Sequence, residues 1–153
     1  MIQTFYSSYF GEMKIDNQSV IEFPAGMPGF EDCKRFILVQ HPEQSVLAFL
    51  QSLESASLCF LTLPVNWLRP DYPLAVDEED LELLGLPPGA KPELGRDVVA
   101  LAVLSLAEGQ EPTANLLSPV VIHAAAGRGV QAIRPDDLYS CREPLRTAGA
   151  ICS

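Results

Sequence analysis

The sequence predicts a mostly β, single-domain fold, a sandwich or a barrel, with one or two short helices. Two observations carry that prediction. Short apolar segments recur along the chain, and turn residues separate them: 13 prolines and 10 glycines in 153 residues. Such punctuation suits many short strands and leaves little room for long helices. In addition, 48% of the side chains are hydrophobic, enough for a chain of this length to build one core without disulfides.

Taken in order, Ile2 to Tyr6 reads as a first strand, a turn follows around Gly11, and Met13-Lys14-Ile15 alternates as a second. Asp16-Asn17-Gln18 is a turn. Val20 to Phe23 is a third strand, stopped by Pro24. Pro24-Ala25-Gly26-Met27-Pro28-Gly29 cannot be regular, because proline removes donors and glycine supplies left-handed turns. One helical turn is expected over Phe30 to Lys34. Arg35–Gln40, Val46–Gln51 and Leu58–Leu63 read as core strands. Residues 64–76, with Pro64, Trp67, Pro70, Tyr72 and Pro73, form an irregular connection. The clearest helix starts at Asp77, an N-cap followed by carboxylates at 78–80, and ends at Gly85. Leu86 to Asp97 is rich in Pro and Gly and reads as a mobile surface loop. Val98–Leu106 is the strongest strand. Thr113–Leu117 and Val120–Ala124 flank Pro119, with Asn115 satisfying backbone groups at a bulge. Gly127-Arg128-Gly129 closes a hairpin onto Val130–Ile133, and Pro135-Asp136-Asp137 starts a further turn. The domain is expected to occupy residues 1–145, with 146–153 a flexible C-terminal tail.

Charge narrows the possible partners. Twenty acids against 10 bases give a net charge of −10. That field repels phosphates and anionic bilayers, and it favours basic partners. Direct nucleic-acid binding and membrane binding are therefore not expected. Met1 to Tyr6 lacks the pattern of a secretory leader, and no apolar run is long enough to span a bilayer, so the expected compartment is the cytoplasm. The cysteines at 33, 59, 141 and 152 have wide, irregular spacing and read as free thiols, Cys59 as a small core residue.

The search for chemistry is mostly negative. His41, His123 and the cysteines do not fall at zinc-ligand spacing, so no metal site is expected. His123 sits in an apolar strand and reads as a hydrogen-bonded structural residue. His41, before Pro42, reads as solvent-facing. No nucleophile elbow, phosphate loop or dinucleotide fingerprint is present, so no catalytic residue and no cofactor are expected. One stretch stands apart. Between Pro70 and Glu82 lie Asp71, Asp77, Glu78, Glu79, Asp80 and Glu82, with no basic residue among them. Helix capping accounts for Asp77 and Glu78. The remainder is either a solvated face or an acidic docking face for a basic partner.

Several segments carry a family resemblance. These are Tyr9-Phe10-Gly11-Glu12, then Ile21 to Glu31 with its F-P-x-G-x-P-G-F-E pattern, Leu50-Gln51-Ser52, Phe60-Leu61, Pro70-Asp71-Tyr72, Asp80 to Gly85, Thr113 to Ile122, and Tyr139 to Leu145. In this order, across residues 2–145, they resemble the flagellar assembly factor FliW family. The resemblance implies a compact, antiparallel, β-barrel-like domain without enzymatic activity. It implies two cytoplasmic partners, flagellin and the RNA-binding translational repressor CsrA, which compete, so that export of flagellin frees the protein to relieve the repressor's block. The expected acidic docking face comprises Asp71, Tyr72, Asp77, Glu78, Glu79 and Glu82, with Tyr72 as an anchor. Phe10, Met27 and Phe30 either line an apolar groove for a flagellin terminal segment or plug the end of the barrel. Arg142 is expected to pair with an N-terminal acid such as Glu12. Cys141, the 86–97 loop and the tail after Leu145 depart from the family pattern. The other reading of such a fold is a small barrel that carries an apolar ligand in its interior.

Overall fold

The computed structural model describes residues 2–145. Its strands are β1 (Ile2–Ser7), β2 (Gly11–Asp16), β3 (Ile21–Glu22), β4 (Arg35–Gln40), β5 (Ala48–Ser52), β6 (Cys59–Pro64), β7 (Val99–Ser105), β8 (Thr113–Ala114), β9 (Val120–His123), β10 (Arg128–Gln131) and β11 (Glu143–Pro144). The helices are α1 (Val65–Leu68) and α2 (Glu78–Leu84), with 3-10 turns at Asn17–Ser19 and Ala124–Ala126. Hydrogen bonding runs β7-β6-β5-β4-β3-β10-β9, and β9 pairs back onto β7, so seven strands form a closed barrel. β8 and β11 extend the far end of β7, and β1–β2 is a separate two-stranded ribbon.

An odd ring cannot alternate strand direction all the way round. One neighbouring pair must run parallel, and here it is β3 with β10, joined at Glu22 and Arg128. The other barrel pairs are antiparallel.

Cross-strand registers such as Leu38↔Leu50, Leu50↔Phe60 and Leu101↔Val120 point one face of each strand inward. Phe23, Phe36, Leu50, Leu101, Val120 and Ile122 fill that interior. The residues in between face outward. On β7, β9 and β10 these are Ala100, Ala102, Val121 and Val130, and they carry a second core with Leu68, Leu84 and Leu116 from the overlying helices and connection. Ile15, Ile37 and Leu53 form a third cluster beneath the ribbon.

Several local expectations need correction. Residues 30–34 form no helix: the Cys33 N–H donates to the Phe30 carbonyl in a single turn, while Phe30 itself bridges to Met27. Residues 64–76 are not wholly irregular. α1 follows Pro64, its buried Val65 and Leu68 spaced to share one face, a turn too short to leave a sequence period. The β9–β10 hairpin closes through Ala124–Gly127, so Arg128 and Gly129 are strand residues. Gly129 is required there because a Cβ would lie 2.6 Å from the Phe23 ring. His41 is not simply solvent-facing. Its Nδ1 accepts the N–H groups of Glu43 and Gln44, and its ring stacks on Phe49. Arg142 makes no ion pair with Glu12 among the described residues; its backbone N–H donates to the Ser140 hydroxyl. His123 and Asn115 meet expectation: His123 Nδ1 bonds the Leu84 carbonyl at 2.8 Å, and Asn115 Oδ1 accepts the Ser118 N–H at 2.9 Å. The expected tail at 146–153 lies outside the described residues.

Candidate functional site

Two carboxylates start α2. The Asp77 side chain accepts the Asp80 N–H at 2.8 Å, and the Asp80 side chain accepts the Asp77 N–H at 3.1 Å, a reciprocal capping box. Gly85 ends the helix in the left-handed region, at φ 76°. Leu81 and Leu84 are buried beneath it. Glu78 takes the Gly89 N–H at 3.0 Å and so ties the helix to the loop that follows. Burial pushes the Asp80 carboxyl above its ordinary pKa; the charges of Asp77 and Glu79 push the same way, against the backbone bond from Asp77.

The predicted acidic face therefore divides. Asp77 and Glu78 are committed to local structure. Asp71, Glu79 and Glu82 are exposed, and their carboxylates form no hydrogen bond or ion pair among the described residues. Tyr72 is not presented to a partner. It is buried, its hydroxyl donates to the Leu116 carbonyl at 2.7 Å, and its ring stacks on Tyr139 at 4.9 Å.

A buried arginine holds this segment in place, and sequence reasoning did not single it out. Arg134 is 5% exposed. Its guanidinium grips Asp136 with two bonds of 2.9 Å, donates to the Pro73 carbonyl, and lies over the Tyr72 ring at 5.0 Å. The ion pair holds the Asp136 carboxyl below the usual range. The only trace of this in the sequence is Arg134-Pro135-Asp136, where proline bends the chain so that the two charges meet.

The shaped loop comes to the same place. A groove of 330 Å³ lies between Gly26, Pro28 and Glu31 on one side and Asp77 and Glu79 on the other, with Ile133 along it. Glu31 accepts the Gly29 N–H at 2.9 Å, which lowers its pKa. Gly26 has φ 71°, and a Cβ there would meet the Glu31 backbone at 2.6 Å. Of the three predicted apolar loop residues, Met27 is buried in the cluster that holds Phe23 and Phe36. Phe30 is 42% exposed and packs edge-on against Phe60. Phe10 does not line this groove; it packs edge-on against Phe49 at 5.3 Å.

The family profile described as FliW protein matches residues 4–145. The chain belongs to the FliW family. Similar proteins named flagellar assembly factor FliW occur in Azoarcus sp. (strain BH72), 35% identical with 83% of this chain and 88% of the relative covered, and in Bacillus subtilis (strain 168), 29% identical with 92% and 94% covered. A relative in Leptospira interrogans is 29% identical, covering 93% and 92%. A crystal structure of the flagellar assembly factor FliW superposes with a TM-score of 0.81 at 27% identity, over 94% of this chain and 96% of that one.

FliW motif residues have visible physical tasks here. Phe23 fills the barrel, Gly26 and Gly29 make left-handed turns, and Met27 packs into the same interior cluster. Gln51, fully buried, accepts the Ser7 hydroxyl at 2.7 Å and donates to the Ser52 carbonyl at 2.9 Å, joining the ribbon to the β5–β6 turn. In this FliW-family chain an interior apolar ligand would have to displace Phe23 and Phe36, whose rings lie 5.1 Å apart. No helix among the described residues is long and apolar enough to cross a membrane. No three metal-ligating side chains converge among them.

Proposed function

We propose that this chain is a non-enzymatic, cytoplasmic flagellar assembly factor that holds flagellin and, in competition with it, the translational repressor CsrA. The observation that carries this reading is the pair of exposed, unpaired carboxylates on α2, Glu79 lining the 330 Å³ groove and Glu82 further along the helix, with a third, Asp71, in the connection before it. An RNA-binding repressor presents Lys and Arg to phosphates. An acidic protein docked beside that surface adds a repulsive field for RNA without entering the RNA site. Two unit charges ~4 Å apart near a surface interact by about 4 kcal/mol before desolvation. A tenfold loss of RNA affinity needs only about 1.4 kcal/mol. Phe30 is the exposed apolar residue at the loop, and it supports a role for that loop in flagellin binding.

The test is charge reversal at Glu79 and Glu82, which cap nothing. The expected result is at least a tenfold loss of repressor affinity and a flatter salt dependence, with the β content intact. Unaltered affinity and salt slope would place docking elsewhere. Phe30→Ala, measured against flagellin in a folded variant, tests the loop: retained affinity removes it from the flagellin surface.

A further inference from the structure

The interior packing of the barrel stops short of one end. Cross-strand partners share a face of the sheet, so register identifies the inward residues there. Leu38 stands opposite Leu50, Pro64 opposite Leu101, and Val99 opposite Ile122. Leu50, Leu101 and Ile122 all belong to the buried interior. Leu38 and Val99 therefore point into the barrel, yet they are 39% and 41% exposed. Inward positions of a small barrel are ordinarily filled by neighbouring side chains. Here, with Ala48, Pro64 and Leu101, these two line a concave mouth of 540 Å³.

Size and charge indicate what occupies it. Small-molecule pockets measure about 300–1,000 Å³, and the mouth of a β-barrel is one of the places where they occur. No Asp, Glu, Lys, Arg or His lines this one, in a chain that carries 20 acids and 10 bases. The polar side chains at its rim are uncharged: Ser45, Asn66 and Gln40, whose amide donates to the Ser45 carbonyl at 2.8 Å and fixes that part of the rim. A charged ligand would lose water here and meet no counter-charge. An apolar one removes Leu38 and Val99 from water. A second copy of this chain, itself at −10, brings like charge to the surrounding surface. Phe23 and Phe36 stay in place, so the mouth accepts what the filled interior excludes.

We infer that the barrel mouth binds an uncharged, mostly apolar small molecule whose hydroxyl or carbonyl group meets the Gln40 and Asn66 amides at the rim. The mouth shares no lining residue with the groove beside α2. It stands or falls separately from the partner binding proposed above.

The probe is Nile red, an uncharged apolar dye with a ring carbonyl, whose emission rises and shifts to the blue when it leaves water. The full chain is titrated with it, and in parallel with the anionic apolar dye anilinonaphthalene sulfonate. The expected result is saturable binding of one Nile red per chain, with the anionic dye about tenfold weaker or more. Leu38→Asp places a charge in the mouth, and Ala48→Phe fills it with a ring. Each should weaken Nile red at least tenfold in a variant whose β content and cooperative melt are intact. Leu106→Asp, at an exposed apolar residue outside the mouth, should leave the affinity unchanged. The second mouth variant keeps the test open if the first fails to fold. Binding that does not saturate, equal binding of the two dyes, affinity unchanged in a folded Leu38→Asp or Ala48→Phe, or an equal loss in Leu106→Asp overturns the inference. So does a Nile red affinity that falls as the chain is concentrated into dimers, which assigns the mouth to self-association.

Discussion

At Gly129 there is no room for a methyl group. The Phe23 ring occupies that space, with three ring atoms inside 3.0 Å of any added Cβ. Gly129→Ala is expected to destabilise the fold by about 1–3 kcal/mol, as overpacked cores do. Phe23→Leu in the same chain should return part of that loss, which denaturant melts of the single and double variants would show. Gln51 is the polar counterpart. Its replacement by Leu strands the Ser7 hydroxyl and the carbonyl of Ser52, at a cost of about 2 kcal/mol; a melt within roughly 0.5 kcal/mol of the parent, the range of neutral surface changes, would refute that role. Residues of this kind were only half legible. The motif around Phe23 and Gly26 marked a special backbone, yet the reason for Gly129 is a ring from a distant segment. Arg134 and Tyr72 were hidden for the same reason: their partners, Pro73 and Leu116, are fixed by folding and not by spacing. Tyr72 in particular read as an anchor because its neighbours are acidic, whereas its ring belongs to the core.

At the level of elements, α2 was readable because capping is local chemistry. Asp77, the carboxylates after it and Gly85 sit where a short helix needs them. Asp77→Ala should cost about 1 kcal/mol, seen as a lower melting temperature with intact β content. Asp80 adds a pH signature. Its folded pKa is raised, so the native state binds its proton more readily than the unfolded chain does. The stabilising share is present in acid and is lost as pH rises through the folded pKa. In Asp80→Asn that part of the pH profile should flatten, and a profile unchanged in shape would contradict it. α1 escaped the sequence because four residues cannot display a helical period. The apolar segments at β4, β5, β6 and β7 were plain, since strands half-buried in a barrel keep an uninterrupted apolar pattern on at least one face.

For the whole molecule, the acid limb of stability belongs to other carboxylates. Glu54 accepts the N–H groups of Lys34 and Arg35 and pairs with the Arg35 guanidinium at 2.7 Å. Burial opposes these bonds, but the net pKa is lowered. Asp97 and Asp136 are also lowered, the first mainly by the Glu93 N–H and the second by Arg134. A lowered folded pKa gives stability that is present above the unfolded value and lost as pH falls through the folded one. Glu54→Gln should therefore melt lower at neutral pH and converge on the parent in acid; equal offsets at both would argue against the assignment. Composition and turn spacing foretold a closed or layered β fold, but not which, because closure depends on the pairing of β9 with β7. Nor did they foretell the parallel contact between β3 and β10. That contact now bears on time and not on shape. It joins residues 22 and 128, and almost the entire barrel sequence lies between them. Pairing across such a distance forms slowly and comes late. The amide of Glu22, bonded to the Gly127 carbonyl, sits on the part of the ring that closes last. It should exchange with solvent through partial opening, well before the amides shared by β4 and β5. The odd strand count thus gives the barrel a predetermined place to come undone.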